Sequence, residues 1–343
     1  MRLYQENGYV DISSIVDRGL PFNFVVGGRG TGKTYNALTY CLDHDVKFIF
    51  MRRTQSQCDL ISKPQFSPFK TICRDRHINI ITGSISKYNS AFFYETFEDD
   101  GDSSKGLPIG YTAALSTISN IRGFDASDVD LLIMDEFIPE RHERPIKNEF
   151  DAFLNAYETI NRNRELSGSR PLQALCLSNA NDIANPYFIG FNLVQRAVRM
   201  MEKNVSVWTD TERGIGLYFL QESIISEAKS ATALYRASRG SSFAEMSLGN
   251  KFVANEFGRI GSKPLREYIP IVAIGELCIY KHKSNGEYYA SCHKMGSPPE
   301  FSTGDTERKR FQRVYAWLWG QYMSNRIVFE EYLCEVLFNK YFS

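Results

Sequence analysis

The stretch FNFVVGGRGTGKT, Phe22 to Thr34, limits what this chain can be more than any other. A short apolar run of strand type leads into Gly27-Gly28-Arg29-Gly30-Thr31-Gly32-Lys33-Thr34, which fits the phosphate-loop pattern of Gly, four residues, Gly-Lys-Ser/Thr. The pattern has a mechanical reason. Glycines let the backbone wrap a triphosphate with its N–H groups turned inward, and the following helix, read as Lys33 to Leu42, adds the positive end of its dipole. Lys33 would reach the β- and γ-phosphates, and the Thr34 hydroxyl would take one position on Mg²⁺. Both flanks are right, with a strand before and a helix after. The chain is expected to bind a nucleoside triphosphate.

A second motif makes that expectation chemical. Asp130-Leu131-Leu132-Ile133-Met134-Asp135-Glu136 reads as a fully buried central strand ending in two carboxylates. Carboxylates have little reason to end a core strand unless they bind or polarise something. Asp135 would hold Mg²⁺, and Glu136 would orient and polarise the attacking water, which points to hydrolysis rather than nucleotide holding. Ile146 to Glu165 has helical period and ends in Arg162-Asn163-Arg164-Glu165. A cation there is a helix cap or an arginine aimed at a neighbour's γ-phosphate. Leu172 to Leu177 is another buried strand, closing with Ser178-Asn179. An amide at that tip senses the γ-phosphate or caps a turn, and its position relative to the other motifs favours sensing.

Composition narrows the class. With 343 residues and 43% apolar content the chain is globular and long enough for two domains. Lys+Arg and Asp+Glu both total 40, so any nucleic-acid contact must come from local patches. Seven cysteines, none in C-x-x-C spacing, read as free thiols and suggest neither a zinc ribbon nor a disulfide framework. The start, MRLYQENGYV, carries no signal-peptide core, and no 18 consecutive apolar residues occur, so a soluble intracellular protein is expected.

The rest of the chain reads as organisation. Lys47 to Met51 is a second buried strand whose end, Arg52-Arg53, faces nucleotide, DNA, a neighbouring subunit or simply solvent. Gln55 to Arg76 looks like an excursion from the sheet. Ile78 to Thr82 and Ala91 to Phe97 form a hairpin, Glu98 to Gly106 a surface loop, and Tyr111 to Ser116 a strand. These readings set an ATPase-like domain over 1–205, a small helical linker over 206–250 and an α+β domain over 251–343. In the last, a three-stranded meander precedes the basic run Glu307 to Arg313 and a long helical tail to Phe342. That run binds a partner or nucleic acid, or is a solvated helix face.

The segments GGRGTGKT, LLIMDEF, NRNRE, LCLSNA, NPYF and AEMSLGNKFV, in this order from Asn23 to Val253, resemble the DNA-packaging ATPases of φ29-like podophages. The resemblance implies a P-loop ATPase of the ASCE class, with an added strand between the phosphate-loop strand and the Asp-Glu strand. It implies ATP and Mg²⁺ as cofactors. It also implies a homo-oligomeric, pentameric ring on the portal of a procapsid in the host cytoplasm, pumping double-stranded DNA, with a structural packaging RNA as a further candidate partner and no membrane. By matching motifs, Gly27 to Thr34 with Lys33 carry the nucleotide, Thr34 and Asp135 the metal, Glu136 the water and Asn179 the sensor. Arg162 would be the finger acting in trans, with Arg164 close enough to exchange roles. The carboxyl-terminal domain would be a vestigial RNase-H-like nuclease. The residues bear on that, because from Lys251 onward the only aspartate is Asp305, where two-metal cleavage needs several carboxylates. Two other readings stand beside the motor: a headful-type large terminase with nuclease activity, and a P-loop switch or kinase unrelated to packaging. DNA-gripping loops are expected within Gln55 to Lys70 and Asp99 to Lys105.

Overall fold

The structure, a computed structural model, describes residues 3–97, 103–121, 126–140, 143, 146–221, 224–249, 252 and 259–342. Helix α1 (Ser13–Val16) precedes strand β1 (Phe22–Gly27), which runs into α2 (Lys33–Asp43). Strand β2 (Phe48–Arg52) is followed by α3 (Gln55–Ile61), α4 (Lys70–Arg76), β3 (Ile80–Ser84), β4 (Ser90–Phe97) and β5 (Ser103–Ala114). Then come β6 (Leu131–Asp135), α5 (Glu149–Asn161), β7 (Gln173–Ser178), α6 (Pro186–Gly190), α7 (Val194–Glu202), β8 (Val207–Asp210) and β9 (Ile215–Leu220). Three short helices follow: α8 (Ile224–Ser230), α9 (Ala233–Ala237) and α10 (Ser242–Gly249). The remainder is β10 (Tyr268–Ile274), β11 (Leu277–His282), β12 (Tyr288–Ser291), β13 (Glu300–Phe301), α11 (Asp305–Val314), α12 (Ala316–Met323), β14 (Ile327–Phe329) and α13 (Tyr332–Phe342).

These elements form two compact units, 1–187 with 200–253 and 188–199 with 254–343. The first is built on a nine-stranded sheet in the order β3-β4-β5-β2-β6-β7-β1-β9-β8. From β5 to β9 the neighbours are parallel, and antiparallel pairing is confined to the two edges. The fold is mixed α/β with a large, mostly parallel sheet. Strand β7 lies between β1 and β6, so the tips of the phosphate-loop strand and the Asp-Glu strand both flank Ser178. The central strands read as continuous apolar runs because both faces are covered, and β6 is buried at every position.

Three expectations change. The segment 206–250 gives two strands to the main sheet as well as three helices, because IGLYFL of β9 is apolar throughout and finds a parallel place beside β1. Gln55 to Arg76 is not an excursion: Cys58, Phe69 and Ile72 are buried, and the Phe69 ring packs on Phe48 and Phe92 at 6.1 and 5.0 Å. Of the Glu98 to Gly106 tract, Glu98 to Asp102 lie outside the described residues, and Ser103 onward belongs to β5.

The second unit has a five-stranded sheet, β13-β10-β11-β12-β14, with the expected antiparallel meander β10–β12 at its middle. Its helical tail is broken. Ile327–Phe329 forms a strand parallel to β12, because Ile327 and Phe329 point together into the core with Leu318 and Phe338.

Candidate nucleotide-binding site

Strand β1 delivers Gly27 to the rim of the sheet, and the loop to α2 is held from both sides. Val10 N–H donates to the Thr31 carbonyl at 2.9 Å, and the Thr31 hydroxyl donates to the Gly28 carbonyl at 3.1 Å. Two glycines are sterically required. Gly32 has φ +76° and a Cβ on it would lie 2.7 Å from the Tyr9 ring; one on Gly28 would lie 2.5 Å from the Ser247 carbonyl. No side chain caps α2, so its first N–H groups keep their capacity for an anion. The loop lines a pocket of about 290 Å³ together with Asp135, Glu136, Ser178 and Asn179.

Within the pocket the sequence-predicted residues come together. Lys33 Nζ donates to the Gly27 and Gly28 carbonyls at 3.0 and 2.8 Å and to Asn179 Oδ1 at 3.3 Å. Thr34 Oγ1 donates to Asp135 Oδ1 at 2.9 Å. This donor set fits a nucleoside triphosphate with Mg²⁺: a lysine, a hydroxyl beside a carboxylate, and an uncapped helix end. Burial pulls the Lys33 ammonium down to about 8; Asp135 and Glu136 oppose the shift, while Lys229 and Arg29 add to it. Carbonyl and amide oxygens with Asp135 and Glu136 compensate its charge only in part, so an arriving anion has a cation waiting.

Glu136 owes its position to an unusual backbone. Its φ is +58°, while Phe137 N–H already rejoins β7 through the Leu177 carbonyl at 3.2 Å and Ile138 N–H bonds Ser178 Oγ. The chain therefore bulges at one residue and throws the Glu136 side chain, half exposed, out of the sheet rim.

The two candidate arginines separate. Arg164 is committed within its own chain, donating to the Ala126 carbonyl at 2.9 Å and to that of Val129, with Asp130 at 3.6 Å. Arg162 is exposed and has φ +48° at the end of α5. It sits at the start of β7, where Asn161 Oδ1 accepts from Leu172 N–H. The pocket lies at the other end of that six-residue strand, about 20 Å away at roughly 3.3 Å per residue.

A family model for the podovirus DNA encapsidation protein (Gp16) matches residues 8–266, more than half of the chain. The chain belongs to this encapsidation family. The DNA packaging proteins of Bacillus phage phi29 and Bacillus phage PZA are each 28% identical to it over 239 residues, 68% of this chain and 62% of theirs. The chain thus spans under two thirds of the length of these relatives. A solved structure of the bacteriophage Phi-29 viral genome packaging motor assembly has a similar fold, with TM-score 0.66 at 21% identity over 97% of this chain and 99% of that one. A structure of the Phi-28 gp11 DNA packaging motor gives TM-score 0.62 at 20% identity, covering 98% and 97%.

The family match encloses the whole pocket and two residues beside it: Arg52, which the sequence left facing nucleotide, DNA, a neighbouring subunit or solvent, and Lys229, which it missed. Arg52 donates through NH1 to Asp135 Oδ2 at 2.6 Å and through NH2 to Glu136 Oε2, bridging both carboxylates. Its neighbour does the opposite job: Arg53 is buried and pairs with Glu149 at 2.7 Å and Glu143 at 2.6 Å. Arg52 ends β2 and Arg53 is the first residue beyond it, and no sequence signal says which of the two meets the site. The missed residue is Lys229 of α8, whose ammonium donates to the Arg29 carbonyl at 2.7 Å. Arg29 itself pairs with Glu140 at 2.6 Å. No sequence signal ties Lys229 to a loop 200 residues earlier.

Proposed function

We propose that this chain is the ATP-driven motor that packages double-stranded phage DNA into a procapsid through its portal, hydrolysing ATP at sites shared between subunits of a ring. The observation that carries the proposal is the separation of parts: the phosphate loop, Asp135, Glu136 and Asn179 line one pocket, while the exposed Arg162 lies at the opposite end of the strands, by the start of β7. Such an arginine cannot complete its own site, but it can complete a neighbour's. The family's encapsidation name and the packaging proteins this chain resembles support the DNA substrate.

In this reading the first unit is an ASCE-type P-loop ATPase, with β7 as the added strand. Thr34 and Asp135 would hold Mg²⁺, whose positive charge would balance charge developing on the phosphate oxygens. Lys33 and the uncapped N-terminus of α2 position the triphosphate. Glu136 orients the attacking water and accepts its proton, which requires its carboxylate to leave Arg52 first. Asn179, bonded to Lys33, reports the state of the γ-phosphate to the tip of β7. The second unit serves as a vestigial nuclease-like domain that does not cut. The ring is pentameric, works in the host cytoplasm, and takes the portal and a structural RNA as partners.

The test is ATPase activity against protein concentration, with and without double-stranded DNA, for wild type, Glu136→Gln, Arg162→Ala and their one-to-one mixture. A Glu136→Gln subunit can lend Arg162 to the intact Glu136 of its neighbour, so activity should reappear on mixing. Turnover independent of concentration and DNA, with no recovery on mixing, would sink the shared site and favour a self-contained switch or kinase. Metal-dependent nicking of plasmid would favour the cutting terminase.

A further inference from the structure

Far from the phosphate loop in sequence, within the second unit, Cys292 and Cys334 face each other with sulfurs 3.6 Å apart. Glu331 joins them, and one ligand atom from each of the three lies within 4.8 Å of the others. The spacing is informative. A disulfide needs about 2.05 Å between sulfurs. Two thiolates sharing a tetrahedral zinc at about 2.3 Å each stand roughly 3.8 Å apart.

We propose that Cys292, Cys334 and Glu331 form a binding site for a thiophilic divalent cation, zinc by preference, that staples α13 to the end of β12. Three further observations fit a cation. Glu331 and Cys334 are spaced i, i+3 across the start of α13, with Cys334 N–H donating to the Glu331 carbonyl at 3.0 Å, so their side chains share one face. Glu276 and Glu330 also lie near enough to act on Cys292 electrostatically, surrounding the thiols with negative charge. Glu330, held by Ser291 Oγ and by His293 Nδ1 at 2.9 Å, adds a fixed negative charge beside the site. Cys334 is buried while Cys292 and Glu331 are half-buried, which leaves an entry path. Two thiolates select zinc over magnesium, so the site is chemically separate from the nucleotide pocket. Binding moves no electrons: the two thiols release their protons to solvent as the sulfurs take the ion.

The experiment uses the full chain, freed of metal under reductant and titrated with Co²⁺ alone and then Zn²⁺. One equivalent of Co²⁺ should give a sulfur-to-cobalt absorption band that an equivalent of Zn²⁺ abolishes, and Zn²⁺ should raise the melting temperature. Cys292→Ser should lose the band and the shift while keeping the wild-type circular dichroism spectrum. Glu331→Gln should weaken affinity about tenfold or more, and Lys33→Ala should leave it unchanged. If wild type and Cys292→Ser take up Co²⁺ alike with no sulfur band, the proposal fails. It also fails if the thiols couple with loss of two hydrogens under mild oxidant and no metal binds when they are reduced, for the pair is then a redox couple.

Discussion

Glu136 and Arg162 share a backbone peculiarity that no composition or motif reveals. Among the described residues, eight that are not glycine have positive φ, and six of them are Asn, Asp or His, which tolerate it. The other two are Glu136 and Arg162. A sparsely populated backbone conformation of this kind costs such residues on the order of 1–3 kcal/mol, and strain of this kind collects where function needs an awkward direction. Glu136→Gln should lower kcat by about 10²–10⁴-fold while nucleotide affinity is retained, measured by turnover beside equilibrium binding. Lys33 supplies a pH signature. Its folded pKa of about 8 lies below the ordinary 10.5, so between those values the unfolded chain holds more protons and this group makes stability rise with pH. A bound triphosphate reverses the shift, so binding takes up a proton there. Affinity for nucleotide should fall as pH rises past about 8, with proton uptake visible as a buffer-dependent calorimetric enthalpy. An enthalpy independent of buffer at that pH would contradict it.

At the scale of the element, the end of β2 divides labour between two adjacent arginines. Arg52 serves the site, whereas Arg53 is buried against Glu149 of α5, with Tyr187 Oη donating to the same carboxylate at 3.3 Å. A buried ion pair adds little net stability, but breaking one strands a charge. Glu149→Ala should therefore destabilise the first unit by roughly 3–5 kcal/mol, read from the denaturation midpoint, although Glu149 does not line the pocket. Much of this scale was legible. FNFVVG, LLIMD and LCLS announced strands because buried parallel strands are largely apolar, and the β3–β4 hairpin announced itself by the Gly-Ser turn between its two runs. What misled was polarity: Gln55 to Arg76 looks exposed, yet Cys58, Phe69 and Ile72 suffice to anchor it. Likewise the three residues of β14 are too short a run to interrupt a helical pattern by themselves.

For the whole molecule, the sheet's length separates Arg162 from its own pocket and makes the proposed activity collective. Turnover per subunit should rise with concentration, and Arg162→Ala should lower the assembled rate by about 10³–10⁵-fold without weakening nucleotide binding. Arg164→Ala should act differently, by destabilising the loop before β6 that it ties through the Ala126 and Val129 carbonyls, so a melting scan distinguishes the two. The amino-acid order alone determined that a phosphate-loop pattern is present between a strand and a helix, and that a buried strand ending in Asp-Glu accompanies it. Those are local patterns, set by backbone sterics and by apolar periodicity over a few residues. Only the tertiary structure decided which arginine meets Glu136, that Lys229 reaches the phosphate loop, that β9 extends the sheet, and that Cys292 meets Cys334. Each of these depends on which faces of distant segments are buried together, and burial is a property of the assembled core rather than of any stretch within it.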